Sequence, residues 1–252
     1  MQHIFLADVH LGAFHEGKNQ QLESTLIRLI DHCEANKIQI HLLGDLFDYW
    51  MEYEDYIPPI GKNLLNRFKE YNKSFSTVYV TGNHDFWTRG HFNNMGFRTN
   101  TEYSTLRLDG KSILLFHGDG LTEKMFGLPR PYLNDFIRKA WFIDLFQYIL
   151  DGEAGNNFMK EFSDFTRDNE INTDRLSDWA NEILPKVKYD VIISGHDHIP
   201  RIETFKTGIY INTGAFFRFR TVVSYTNNNF RIVVWDGEQN QFLPFADKIN
   251  TD

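Results

Sequence analysis

The chain has 252 residues, 42% hydrophobic and 24% charged, which suits one large domain, or one domain carrying a sizeable insertion. Its formal charge of −8 argues against the basic field of a protein that grips nucleic acid nonspecifically, and no nucleic-acid partner is expected. An anionic ligand stays open, because bound divalent cations reverse the field locally; Cys33, the only cysteine, permits no disulfide within the chain and suggests a reducing compartment.

The first residues, Met1-Gln2-His3-Ile4-Phe5, lack the basic leader and long apolar region of a signal peptide. No uncharged apolar stretch of about 20 residues is present to span a bilayer. The expectation is a cytoplasmic protein, at most peripheral at the inner membrane surface. Residues 3–8 are apolar and bounded by charge, as in a buried strand. Leu22, Leu26, Leu29 and Ile30 are spaced for an amphipathic helix over 20–36. A strand over 38–44, a helix over 59–72 and a strand over 76–82 follow. This alternation predicts parallel strands joined by right-handed crossovers. Asp109-Gly110, flanked by "TEYSTLRL" and "KSILLFHG", is a strong two-residue hairpin signal. Residues 122–186 read as a helical insertion, a cap within a single domain spanning 1–252. Short strands return at 191–195, 201–205, 208–212, 221–226 and 230–236.

Five apolar strands run straight into polar residues. They end in Asp8-Val9-His10, Gly44-Asp45, Gly82-Asn83-His84-Asp85, His117-Gly118-Asp119 and Gly195-His196-Asp197-His198. Each block alone is a common turn, since Gly, Asp and Asn favour turns. Five together, two of them rich in histidine, are not explained that way. In open α/β sheets the carboxyl ends of strands converge on one ligand site. The donors are carboxylate, amide and imidazole with no thiolate, a set that suits manganese, iron or zinc better than calcium. Asp8 and His10 are two apart, so a regular strand would point both to one face, and His196 and His198 share the spacing. The seven donors Asp8, His10, Asp45, Asn83, His117, His196 and His198 are too many for one tetrahedral ion but suit two divalent ions, Mn²⁺ first among them, sharing a carboxylate.

These blocks resemble the calcineurin-like metallophosphoesterase superfamily over roughly residues 1–120 and 188–236. The resemblance implies an α/β fold, a four-layer α/β/β/α sandwich, with a dinuclear centre. It implies Asp8, His10, Asp45 and His198 on one metal, and Asp45, Asn83, His117 and His196 on the other. His84 would hydrogen-bond the phosphate or leaving oxygen, and Asp85 would orient His84. No arginine follows Asp48, unlike the protein Ser/Thr phosphatases and diadenosine tetraphosphatases. "GDLFDYW", "TGNHDFW" and "LLFHGDGL" are instead similar to the UDP-2,3-diacylglucosamine pyrophosphatase family. Membership implies hydrolysis of a nucleotide-linked lipid to UMP and a lipid monophosphate, without a covalent enzyme intermediate. A general phosphodiesterase or nucleotidase acting on soluble substrates is the alternative, and a non-catalytic scaffold the third. Asp197 departs from the Thr or Arg often found between the two late histidines.

The middle segment supports two readings. The second half of 131–150 is apolar on nearly every helical face, interrupted by Asp144 and Gln147, as in a buried cap helix packed on the sheet, or in a surface that meets acyl chains or a membrane. Arg130, Arg138, Lys139, Lys160 and Arg167 either meet an anionic headgroup or solvate a helix. Tyr49 and Trp50 read as packing residues, and Asp48 as a supporting or capping one.

Overall fold

The computed structural model describes residues 1–166 and 174–245, and side chains over all of these except 162–166. Arg167 lies outside them. The chain begins β1 (Gln2–Leu6), α1 (Glu16–Ala35), β2 (Ile38–Leu43), α2 (Lys62–Tyr71) and β3 (Val78–Val80). The strands pair in parallel, β1 with β2 and β2 with β3, as the alternation predicts. A short helix α3 (His91–Asn94) leads to the edge strand β4 (Arg98–Asn100). The hairpin of β5 (Tyr103–Leu108) and β6 (Lys111–Phe116) follows. Its turn places Asp109 at φ 47° and Gly110 at φ 84°, the pair of positive angles that a two-residue turn requires.

Four helices come next: α4 (Tyr132–Ile137), α5 (Ala140–Ile149), α6 (Gly152–Thr166) and α7 (Arg175–Ile183). The chain then gives β7 (Val191–Ser194), β8 (Arg201–Phe205), β9 (Gly208–Asn212), α8 (Phe216–Phe219), β10 (Thr221–Thr226), β11 (Asn229–Asp236) and β12 (Gln241–Pro244). Among the described residues, one sheet has seven strands ordered β12-β11-β10-β1-β2-β3-β4. The other has five, ordered β5-β6-β7-β9-β8.

Burial stacks these elements into four layers. Leu22, Leu26 and Leu29 of α1, with Leu64 and Phe68 of α2, pack against Ile4, Leu6, Ile40 and Leu42 on the outer face of the larger sheet. The alternate residues, Phe5, Leu43, Val80 and Val223, meet Ile113, Leu115, Val191, Ile193 and Ile211 of the smaller sheet. Leu176, Trp179, Ala180 and Ile183 of α7 cover the far side of that sheet, on Leu114, Phe116 and Ile192. The period of two along each strand thus fills two separate apolar layers.

The segment 122–186 is not one unit in its contacts. α7 is an outer layer of the sandwich, whereas α4–α6 lie on aromatic residues of the loops after β2 and β3. There Ile137 and Met159 pack with Tyr49, Met51, Phe86 and Trp87. Trp50 turns the other way, into the core with Phe47 and Phe92. The reading of 131–150 as a buried helix is corrected. The stretch is two helices, and α5 buries none of its residues. Trp141, Leu145, Tyr148 and Ile149 are exposed by 49–89%. No helix among the described residues is long and apolar enough to cross a membrane.

A histidine is buried within the layer between the sheets. His41 of β2 is 1% exposed, stacked on Phe5 with ring centroids 4.7 Å apart. Its Nε2 lies 3.0 Å from Nδ1 of His3. Burial, with His3 and Arg98 nearby, pushes its pKa down to about 3. The folded chain therefore keeps His41 neutral, while the unfolded chain protonates it below about 6.5. Its stabilisation is complete above that pH and falls as the pH drops towards 3. Between pH 7 and 5 this residue should remove about 2 kcal/mol of stability. Denaturant unfolding of the wild type and of His41→Leu at both pH values measures it, and equal losses would refute it.

Candidate metal centre

The carboxyl ends of β1, β2, β3, β6 and β7 come together at one rim, where the two sheets meet. Asp8, His10, Asp45, Asn83 and His84 arrive from the seven-stranded sheet, and His117, His196 and His198 from the five-stranded one. Asp8 and Asp45 are 0% and 2% exposed, and His117 is 1% exposed. His84 and His198, at 18% and 28% side-chain exposure, mark the open side.

Local backbone aims these groups. Strand β1 ends at Leu6, so Asp8 and His10 do not share the face of a strand as the spacing suggested. Both instead adopt the left-handed conformation, at φ 52° and 48°, on either side of Val9. Asp45, His196 and His198 do the same, at φ 52°, 71° and 62°. Such angles are unfavourable for residues with a side chain and cluster at functional sites. Hydrogen bonds between loops hold them. Asp8 N–H donates to Gly44 O at 3.1 Å, and His10 N–H to Asp45 O at 3.0 Å. Gly195 N–H donates to His117 O at 2.8 Å. Glycine is required where loops touch: a Cβ on Gly44 would lie 2.4 Å from His117 Nδ1, and one on Gly82 2.0 Å from Asp45 Oδ1.

Two sets of donors result, with Asp45 between them. On one side His198 Nε2 lies 3.5 Å from Asp8 Oδ1 and 3.4 Å from His10 Nε2. On the other, His117 Nε2 lies 3.0 Å from Asn83 Oδ1 and 3.2 Å from His196 Nδ1. Asp45 Oδ2 is 3.8 Å from His10 Nε2 and 3.2 Å from His117 Nε2. Asp8, His10 and His198 converge closely enough to share an ion, as do Asp8, Asp45 and His117, and also His10, Asp48 and His84.

The imidazoles are oriented from behind. His117 Nδ1–H donates to Leu43 O at 2.9 Å, and His84 Nδ1–H to Asp48 O at 2.6 Å, so both turn Nε2 inward. His10 Nδ1 faces Asp48 Oδ1 at 3.6 Å. Asp85 does not orient His84. Its buried carboxylate accepts from Gly82 N–H and Leu46 N–H, each at 2.7 Å, and from the Tyr79 hydroxyl. It ties the third loop to the second, and the main chain of Asp48 takes the role expected of it. Asp197 is buried too, and burial beside Asp8 lifts its carboxyl to about 7 against the opposing charge of Arg201.

Charge in the rim is finely divided. Burial alone would raise the carboxyl of Asp45, but His117, His84 and His10 hold it well below the usual range. Burial opposes a proton on His117, yet the charge of Asp45 outweighs it and pushes the pKa up to about 10. Burial and the charge of His117 together lower His196 to about 4. Asp8 Oδ1 is fully buried with no hydrogen-bond donor among the described residues. Facing lone pairs, buried carboxylates and this orphaned oxygen fit divalent cations, and the hard and borderline donors agree.

Several supporting groups carry little signal in the sequence. Phe217 sets its ring edge-on to His10 and His198, each at 5.5 Å between centroids. Arg130 and Arg138 are not free for a headgroup: their side chains are only 4% and 10% exposed and pair with Asp119, at 3.1 and 2.8 Å. Lys139 pairs with Asp135 on the surface, and Lys160 lines a cavity of about 450 Å³ between α6 and the second loop, with Asp48 and Tyr49.

Residues 1–200 match the calcineurin-like phosphoesterase family. The chain is 25% identical to the UDP-2,3-diacylglucosamine hydrolase of a Shewanella species over 250 residues, 98% of each chain. It is 26% identical to the protein of that name from Blochmanniella pennsylvanica over 210 residues, 81% of each. The Porphyromonas gingivalis protein of that name is 29% identical over 117 residues, 46% of this chain and 45% of that one. The matched family span contains every donor gathered at the rim, and the chain belongs to the calcineurin-like phosphoesterase family.

Proposed function

We propose that this hydrolase cleaves a phosphoanhydride with two divalent cations, and that its substrate is UDP-2,3-diacylglucosamine, released as UMP and a lipid monophosphate. The placement of Asp45 between two donor sets carries the two-cation reading. Asp8, His10, Asp45 and His198 would hold one cation, and Asp45, Asn83, His117 and His196 the other. Manganese suits these donors, with iron and zinc as alternatives. When bound, the pair would neutralise phosphoryl charge and lower the pKa of a water towards neutrality.

The chain's own groups do the rest. His84, fixed through Nδ1–H to Asp48 O, presents Nε2 at 3.8 Å from Asp45 Oδ2, on the open side. From there it would hydrogen-bond a phosphoryl or leaving oxygen as charge develops. The lipid-linked substrate is supported by the names of the relatives and by the exposed apolar side chains of α5. Those side chains would meet acyl chains, or rest on the membrane from which the substrate comes.

Three outcomes test this reading. Asp45→Ala should lose both ions and all measurable turnover, assayed by elemental analysis and product release; an ion-replete, active variant would sink the two-cation scheme. His84→Ala should keep its ions and lose about 10²- to 10⁴-fold in kcat. An unchanged rate would remove His84 from catalysis. With Mn²⁺ present, the wild type should release UMP from UDP-2,3-diacylglucosamine faster than it cleaves bis(p-nitrophenyl) phosphate or free nucleotides. The reverse order would favour a general phosphodiesterase, and no turnover with ions bound would favour a scaffold.

A further inference from the structure

Arg138, at the end of α4, is 56 residues from Gly82 in sequence and touches it. Its Nη2 donates to Gly82 O at 2.9 Å and to Asp119 Oδ2 at 2.8 Å. Gly82 precedes Asn83, and Asp119 follows His117 by two residues. One nitrogen therefore ties together the two loops that deliver Asn83 and His117, whose side chains stand 3.0 Å apart. Those loops come from different sheets, β3 from the larger and β6 from the smaller.

The guanidinium has two further contacts, while its buried Nε finds no hydrogen-bond acceptor among the described residues. Nη1 reaches Thr101 O at 3.4 Å, and the planar group lies over the Phe86 ring at 4.2 Å. Arg130 backs the same Asp119 oxygen and is itself anchored on Glu102 at 2.8 Å. Trp87 Nε1–H donates to Ile137 O at 3.2 Å, which fixes the backbone beside Arg138. The side chain is 10% exposed. A planar fork with fixed donors suits this bridging, and a lysine would not replace it.

We infer that Arg138 is a positioning residue for one cation site alone, the one built on Asn83 and His117, and that through it the α4–α6 segment sets the geometry of that site. The inference rests on the two-cation reading above. No described contact of Arg138 reaches Asp8, His10 or His198; only its charge is felt at the shared Asp45, so the other site should depend on it far less.

The test is calorimetric titration of the ion-free chain with Mn²⁺, in the wild type and in Arg138→Gln. The wild type should take up two ions with separable constants. In Arg138→Gln one constant should weaken by about 10- to 100-fold, the range for partners that orient metal ligands, and the other should hold. The weakened constant should be the one that Asn83→Ala abolishes, not the one lost in His198→Ala. Two unchanged constants, or two constants weakened alike, would overturn the inference. A wild type that takes up a single ion overturns the two-cation reading, and this inference with it. Should Arg138→Gln yield no folded chain, Asp119→Asn loosens the same clamp and is read in the same way.

Discussion

Two carboxylates, Asp8 and Asp45, lie buried where the ends of the two sheets meet, and neither can be carried there without positive charge beside it. Removing an unpaired carboxylate from water costs several kcal/mol even after relaxation. The carboxylates belong to the larger sheet, and much of their compensation comes from the smaller one. His117 leans on Asp45, while His198 and the backbone N–H of His196 reach Asp8. Away from the rim the sheets are joined by hydrophobic contact, and at the rim by electrostatics. In the ion-free chain a proton on His117, held up to about 10, supplies the charge that Asp45 demands. The same residue thus serves the fold without cations and the site with them.

Left-handed backbone is how the rim crowds so many donors together. Each such residue costs about 1–2 kcal/mol relative to ordinary conformations. It persists only where its surroundings over-determine it. Here the surroundings are the other loops, so the strained residues of one block are held by the backbone of the next. Loss of one block would release strain in its neighbour, and the five blocks behave as one structure rather than five turns.

What could be read from the sequence was what is local. Continuous apolar runs bounded by polar residues gave the buried strands, and Asp109-Gly110 gave the hairpin, because one turn chemistry fits that dipeptide. β4 was invisible, since Arg98-Thr99-Asn100 has no apolar face and is a strand only because β3 offers it an edge. The donor blocks were legible as a set, for histidine after a buried strand is hard to explain otherwise. Their geometry was not, because Asp8 and His10 converge through positive φ rather than strand alternation. Adjacency also misled: Asp85 is next to His84 in sequence, yet its carboxylate points at Tyr79 and two backbone amides. The sequence left α5 open between a buried helix and a surface that meets lipid, since an apolar helix is ordinarily buried and nothing in its residues says what would cover it.

The α4–α6 segment is therefore fastened at one end and open at the other. Ile137, Trp87 and Phe86 seal its inner side against the third loop, and Arg138 reaches past them to the rim. Its outer side presents Trp141, Tyr148 and Ile149 to solvent. A segment pinned so close to Asn83 and His117 cannot swing as a free lid without disturbing the donors it helps to align. A substrate would reach the rim from its open side, past His84 and His198, with the donors already in place. If the substrate is lipid-linked as proposed, its apolar bulk would be met by the surface that the fold leaves uncovered.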